Sequence, residues 1–163
     1  MADVEAFLDS MLDHDRQTLA DRLEKASARL ARVGPQTKAG SGEEEWSPHE
    51  ILAHIAVLSK FYGVLVHRIS SGQMTELDLL SNVNLRDVAG QQMSELEPAE
   101  LLRMILADHQ RTAKLLRTAE PASLRRTAVL PDGQTTTAVD IARLPLVNHL
   151  EMHVDQLEKL LAV

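Results

Sequence analysis

The sequence predicts an all-α four-helix bundle with a long crossover connection between helices 2 and 3. Aromatic residues make up only 2% of the 163 residues, while Leu, Ala, Arg and Glu recur throughout, a composition that favours helices over sheets. Apolar residues repeat every three or four positions in four long segments, which is the helical period. A chain of this length accommodates one domain with a sizeable core, so we expect residues 1–163 to form a single helical-bundle domain.

The first helix is predicted over roughly residues 3–33. Gly34 and Pro35 end its apolar repeat, and a polar loop is expected over residues 35–45. Because positions three and four apart lie on one face of a helix, the repeat predicts a core-facing stripe. That stripe consists of Val4, Leu8, Leu12, Leu19, Leu23, Ala26, Leu30 and Val33.

The second helix has the clearest start in the chain. Ser47 is the predicted N-cap, Pro48 takes the first helical position, and Glu50 reaches back to complete a capping box. Trp46 and Ile51 are spaced as a hydrophobic staple. We expect this helix to run to about residue 69.

The connection from residue 70 to residue 96 is long, and its amphipathic pieces predict short helical turns inside a crossover. These pieces contain Leu77, Leu79, Leu80, Val83 and Leu85. A third helix is predicted from about Pro98 to about Ala119, with an apolar face of Leu101, Leu102, Ile105, Ala113 and Leu116.

The last helix is predicted from Thr137, whose side chain and that of Asp140 have the spacing of a cap, to the end of the chain. A loop containing a turn at Asp132-Gly133 precedes it. Pro145 lies about two turns inside this helix, where it removes a backbone hydrogen bond and is expected to kink the axis and widen the bundle. The alternative is that the helix begins only at Leu144.

Charge and composition exclude several classes of function. The formal charge of −7 and the absence of a clustered Lys/Arg patch argue against nucleic-acid binding. No run of apolar residues reaches the length of a membrane span, and the N-terminus lacks the pattern of a signal peptide, so a cytoplasmic protein with no membrane partner is expected. Because the chain has no cysteine, a bound metal would need nitrogen or oxygen ligands, and a reacting thiol would have to arrive as a cosubstrate.

Three of the seven histidines are predicted to face the core and to bind a metal ion. His149 and His153 are four residues apart, the spacing at which two imidazoles on one helix can bind one ion. Both share the apolar stripe of the last helix, and His54 shares that of the second helix, whereas His49 and His67 project away and are expected at the surface. The last stripe contains Ala142, Leu146, Leu150, Leu157 and Leu160, and the second contains Ile51, Ile55, Leu58, Phe61, Leu65 and Ile69.

Three further residues are weaker candidates for the site. Gln156 can hydrogen-bond a ligand imidazole or a metal-bound water, although a solvent-facing amide is the alternative. His109 shares the apolar face of the third helix and is a candidate lining residue. Asp15 interrupts the first stripe and could orient a ligand histidine, although a partly exposed acid is the simpler interpretation.

Two other metal motifs are excluded by spacing. A zincin requires Glu directly after the first histidine, but Leu150 follows His149. Carboxylate-bridged di-iron bundles require Glu-x-x-His pairs, which this sequence lacks. A site rich in histidine and poor in carboxylate suits zinc or nickel better than magnesium or calcium.

Two motifs resemble a known family: WSPHEILAHI, beginning at Trp46, and NHLEMHVDQL, beginning at Asn148. They resemble the DinB/YfiT-like family of metal-dependent enzymes, related to thiol-dependent transferases and to mycothiol-dependent maleylpyruvate isomerase. The resemblance implies a four-helix bundle in which His54, His149 and His153 bind a divalent ion near one end. It also implies that a homodimer can form, as in many members.

The leading hypothesis is therefore a metal-dependent enzyme that transfers or uses a low-molecular-weight thiol on a small electrophile. The alternatives are a metal-dependent hydrolase of a small substrate, in which the ion activates water, and a non-catalytic ligand-binding or dimeric module. The sequence contains no unambiguous general acid or base beside the three histidines, so all three readings stay open.

Overall fold

The computed structural model describes residues 2–77 and 91–161. Helices α1 (Ala2–Val33), α2 (Pro48–Ser70) and α3 (Pro98–Thr118) form three sides of a bundle. The fourth side, here called the C-terminal rod, is continuous but not uniform. It consists of α4 (Ala138–Ile141), a π-helical segment (Ala142–Asn148) and α5 (His149–Leu160).

The side-chain contacts between helices define their directions. Arg22 pairs with Glu151 and Arg29 pairs with Glu158, so α1 and α5 advance together and are parallel. In contrast, Arg16 bonds the carbonyl of Leu116 at 3.0 Å. His109, earlier in α3, bonds Ser27, later in α1, at 3.0 Å. Helices α1 and α3 are therefore antiparallel.

Helices α2 and α3 are parallel. His49, near the start of α2, bonds the carbonyl of Leu96, just before α3, and Lys60 lies 3.2 Å from Asp108 further along both helices. Parallel neighbours cannot be joined by a short turn, which is why a long connection separates α2 from α3 in the sequence. Helices α1, α2, α3 and α5 therefore run up, down, down and up, which confirms the predicted four-helix bundle with a crossover between helices 2 and 3. The predicted short turns at Leu79, Leu80, Val83 and Leu85 lie outside the described residues.

Helix α2 is both long and apolar. It is long and apolar enough to cross a membrane, with a mean hydropathy of 1.3, contrary to the expectation of no such segment. However, 61% of this window is buried inside the protein, because α2 packs against both α3 and the C-terminal rod. The composition of α2 is therefore that of a core helix.

The predicted helix limits and apolar faces agree with the structure except at their ends. Val4 is 58% exposed and Leu8 44% exposed, because α3 ends opposite Arg16 and the first turns of α1 extend beyond it. Leu160 is likewise 50% exposed. The predicted polar loop begins with a 3-10 turn, Gly34–Gln36. The other predicted stripe residues are buried, except for the partly buried Phe61.

The connection between α3 and α4 contains more structure than predicted. A 3-10 helix, Pro121–Arg125, precedes an antiparallel hairpin of β1 (Thr127–Val129) and β2 (Thr135–Thr137). The predicted Asp132-Gly133 turn joins the two strands, and Gly133 takes a φ of 86° that favours glycine. The hairpin was missed because each strand is only three residues long.

Thr137 caps α4 as predicted, accepting a hydrogen bond from the amide of Asp140 at 3.1 Å. The C-terminal rod thus starts well before Leu144, so Pro145 lies inside it. The rod accommodates the missing amide donor by widening into a π-helix over Ala142–Asn148. His149 is the first α-helical residue after this widening.

Candidate metal centre

Three imidazoles from two helices meet near one end of the bundle. The potential ligand nitrogens of His54, His149 and His153 all lie within 4.8 Å of one another. The ring centroid of His54 lies 5.7 Å from that of His149 and 4.7 Å from that of His153. His149 and His153 are 4.8 Å apart and tilted by 32°. A single ion can therefore contact all three rings.

The hydrogen bonds of His153 prepare one of its nitrogens for a metal. Its Nδ1 bonds the Gln156 Oε1 at 3.0 Å. Because an amide oxygen only accepts, Nδ1 must carry the proton, and Nε2 presents a lone pair. That Nε2 is buried and has no hydrogen-bond partner among the described residues. A buried acceptor without a partner is costly, and a divalent cation bound to three neutral imidazoles would satisfy it, so the donor set fits the predicted metal.

Local sequence positions each of the three rings. His54 lies one turn beyond the capping box of α2, in which the Ser47 Oγ accepts from the amide of Glu50 at 3.2 Å and Glu50 accepts from the amide of Ser47 at 3.1 Å. His149 and His153 directly follow the π-helical segment of the C-terminal rod and lie on its face toward α2, where both rings contact that of His54. In the sequence, the start of α2 was indicated by the capping box and the irregular segment before His149 by the internal Pro145.

Trp46 forms the outer wall of the centre. Its ring lies 4.8 Å from that of His54, and it remains 49% exposed. The loop before it is tightly folded, since a Cβ added at Gly42 would lie 1.8 Å from the carbonyl oxygen of Glu45. Trp46 was predicted to staple Ile51; the contact recorded for its ring is with His54.

Of the weaker candidates, Gln156 contacts a histidine of the cluster, through the bond to His153. Asp15 is exposed and pairs with Arg143 at 3.1 Å, which agrees with the simpler interpretation, a partly exposed acid, rather than with a role in orienting a ligand histidine. Asp15 interrupts the apolar stripe of α1 because its carboxylate pairs with Arg143 of the C-terminal rod at the surface instead of entering the core.

His109 is buried as predicted but does not line the three-histidine centre. It is only 2% exposed and lies between two hydroxyls, the Ser59 Oγ at 2.8 Å and the Ser27 Oγ at 3.0 Å. Burial lowers its pKa from 6.5 to about 4, although Asp108 acts in the opposite direction. His109 is therefore a neutral imidazole that joins α1, α2 and α3.

The expectation that His49 lies at the surface is wrong. It is 9% exposed. Its Nδ1 accepts from the amide of Gly40 at 3.0 Å, so its Nε2 carries the proton and donates to the carbonyl of Leu96 at 2.7 Å. His49 fastens the loop before α2 to the segment before α3. His67 is exposed as predicted.

The carboxylates nearest to the histidines in sequence have structural partners. Glu151 pairs with Arg22. Glu50 accepts from the amides of Gly42 and Ser47, which hold the pKa of its carboxyl below the ordinary value of 4.5. Neither carboxylate is thus free to act as a general base.

A cleft of about 450 Å³ adjoins the centre at the same end of the bundle. Trp46, which lies against His54, and Gln156, which bonds His153, form part of its wall. Glu45, Lys159 and Leu160 complete it. The sequence did not indicate that these three residues line a cleft, because it placed Glu45 in a polar loop and Leu160 in the apolar stripe of the last helix.

Solved structures with the same fold support this architecture. The mycothiol-dependent maleylpyruvate isomerase superposes with a TM-score of 0.68 at 19% identity, covering 89% of this chain and 60% of that one. A mutant of the same isomerase gives a TM-score of 0.70 at 17% identity over the same shares of both chains. The present chain therefore spans about 60% of the length of the isomerase.

YfiT from Bacillus subtilis, described as a probable metal-dependent hydrolase with an unusual four-helix bundle topology, superposes with a TM-score of 0.64 at 17% identity. This match covers 88% of the present chain and 86% of YfiT. At such identities the likeness concerns the fold alone.

A search of the curated proteins finds no match to this sequence. The sequence does match the DinB superfamily over residues 11–157, a span that includes all three histidines and both motifs. That span covers most of the chain, in agreement with the bundle and its helix order. The chain therefore belongs to the DinB superfamily.

Proposed function

We propose that this protein is a metal-dependent enzyme that transfers or uses a low-molecular-weight thiol on a small electrophile. The observation that carries the proposal is the convergence of His54, His149 and His153, whose ligand nitrogens lie within 4.8 Å. The buried, unbonded Nε2 of His153 supports a metal at this point rather than a purely structural cluster. Three protein ligands also leave room for an incoming group.

His54, His149 and His153 would hold a divalent ion, which would supply a lowered pKa to a thiol or water brought to the centre. Zinc and nickel suit an all-nitrogen set best. The protein's own residues act around that position. Gln156 keeps His153 in the tautomer that presents Nε2, and Trp46 covers the outer side of His54 and limits access of water.

A thiol is favoured as the incoming group because the mycothiol-dependent maleylpyruvate isomerase shares the fold of this chain. This chain has no cysteine, so the sulfur must come from a cosubstrate. The cleft of about 450 Å³ suits a small-molecule partner.

Hydrolysis of a small substrate is the second candidate. It is favoured by the description of YfiT, which shares the fold, as a probable metal-dependent hydrolase. The two candidates use the same histidines and differ in whether a thiol or water occupies the open position.

A parallel assay separates the candidates. Protein purified without a histidine tag is loaded with zinc or nickel and given chlorodinitrobenzene with glutathione, bacillithiol or mycothiol, and separately a panel of esters and amides. We expect thiol-dependent turnover that falls by about 100-fold or more in His149→Ala. The matched control is His67→Ala, an exposed histidine of α2 outside the centre, which should keep wild-type activity.

Each result has a clear meaning. Turnover of esters without thiol, lost in His149→Ala, would replace thiol transfer by hydrolysis. Failure of the protein to bind zinc or nickel, or equal turnover by His149→Ala and wild type, would overturn both enzymatic candidates and leave a ligand-binding module.

A further inference from the structure

The cleft beside the histidines has an unusual combination of groups. Lys159 is its only cation and Glu45 its only anion among the described lining residues. Neither takes part in an ion pair within the described part of the chain. This contrasts with neighbouring charges on the same rod, since Asp155 and Glu158 both pair with Arg29. Among the described residues, the cleft thus offers one unpaired charge of each sign.

The remaining wall is apolar and exposed. Trp46 is 49% exposed and Leu160 is 50% exposed, and both face the cleft rather than the core. Gln156 lies between the charges and the centre, since it lines the cleft and bonds His153. A ligand with an apolar stem can therefore lie on Trp46 and Leu160 while its polar ends reach the two charges.

The spacing relates these charges to the histidines. Lys159 lies about 9 Å further along the axis of α5 than His153, at the rise of an α-helix. A carboxylate paired with Lys159 and a sulfur near the imidazoles can therefore belong to one small molecule. Glu45, adjacent to Trp46, can accept an ammonium group, which the face of the indole also attracts.

We propose that this cleft recognises a zwitterionic, amino-acid-like part of the thiol cosubstrate, with Lys159 pairing with a carboxylate and Glu45 with an ammonium group. This inference rests on the thiol function proposed above and adds the charge class of the thiol. It implies that a peptide thiol such as glutathione binds better than mycothiol, which has no carboxylate.

The test uses a ligand whose sulfur is blocked. S-methylglutathione keeps both charges but has no thiol, and its dimethyl ester lacks the carboxylates. Because Trp46 is the only tryptophan, its fluorescence reports on the cleft, and calorimetry gives the Kd. We expect the ester to bind about three- to fivefold more weakly than S-methylglutathione, the range for an exposed ion pair.

Variants locate the effect. Lys159→Gln should weaken the binding of S-methylglutathione by the same factor and leave the Kd of the ester unchanged. Glu45→Gln should weaken the binding of both ligands, since both keep the ammonium group. The matched control is Lys25→Gln, an exposed lysine of α1 outside the cleft, which should bind like wild type. Zinc affinity, measured by chelator competition, should be the same in wild type and Lys159→Gln.

The inference is overturned if S-methylglutathione does not bind, or if it and its ester bind equally to wild type and Lys159→Gln. This failure differs from failure of the proposed function. Loss of zinc binding or of thiol turnover, with charge-dependent binding of S-methylglutathione intact, would remove the metal-dependent reaction but keep the zwitterion site.

Discussion

At the scale of single residues, buried histidines in this protein fall into two kinds. His153 has one bonded nitrogen and one buried nitrogen with no partner in the described chain. His109 has both nitrogens bonded to serine hydroxyls. The first arrangement leaves a lone pair for a ligand, whereas the second completes the bonding capacity of the ring. The difference lies in the partners, not in the depth of burial.

His109 makes stability depend on pH. The unfolded chain takes up a proton near pH 6.5, but the folded protein does so only near pH 4. Stability contributed by the neutral ring is therefore complete above pH 6.5 and is lost as the pH falls toward 4, by up to about 3 kcal/mol. Urea unfolding of metal-free protein at pH 8, 6, 5 and 4 should show this fall.

His109→Gln provides the test of this assignment. Its neutral amide can still bond Ser27 and Ser59, so the decline between pH 6.5 and pH 4 should become shallower than in wild type. His67→Gln, at an exposed position, should show the wild-type slope. Identical slopes in His109→Gln and wild type would contradict the role given to burial.

At the scale of elements, the start of α2 connects helix capping to the centre. Ser47 accepts from the amide of Glu50, and its Oγ donates to the carbonyl of Gly40 at 2.6 Å. Trp46 precedes this cap and lies against His54. The cap therefore holds both the helix end and the outer wall of the cleft.

Ser47→Ala should lower the free energy of unfolding by about 1 kcal/mol, within the range of about 0.5–2 kcal/mol for a lost N-cap. It should also change the Trp46 emission spectrum, because the loop loses its bond to Gly40. Ser71→Ala is the control: this exposed hydroxyl donates to the carbonyl of Arg68, and its loss should cost less than about 0.5 kcal/mol. Equal losses in the two variants would show that the capping box contributes nothing special.

At the scale of the whole molecule, the centre joins two elements that are far apart in the sequence. His54 belongs to α2, while His149 and His153 belong to the C-terminal rod. Arg16 makes a comparable link without a metal, since its guanidinium bonds the carbonyls of Leu116, Arg117 and Ala119 at 2.7–3.0 Å and closes the end of α3. Such links fix the positions of the helices relative to one another.

A metal that binds only the folded protein stabilises it. Zinc at about 100 times its Kd should add about 2.7 kcal/mol, or a rise in Tm of roughly 5–10 °C for a chain of this size. Differential scanning calorimetry with and without zinc measures the shift. His54→Ala removes the only α2 ligand and should abolish most of it, whereas His67→Ala should retain it. A full shift in His54→Ala would place the zinc elsewhere.

The sequence determined the local features of this protein. Capping residues a few positions apart determine the start of α2 and the start of the C-terminal rod before Pro145. The helical period determines the helix limits and the inward facing of His54, His149 and His153. Short-range periodicity and capping chemistry are written in consecutive residues, so they could be predicted without knowing the packing.

Only the tertiary structure decided which side chains from different helices meet. A helical period gives the angle of a side chain but not the residue opposite it. The sequence therefore could not show that His109 meets two serines, that Asp15 meets Arg143, or that His49 is buried against Leu96. The convergence of the three imidazoles and the charged cleft beside them likewise arise because α2 and the C-terminal rod meet at one end of the bundle.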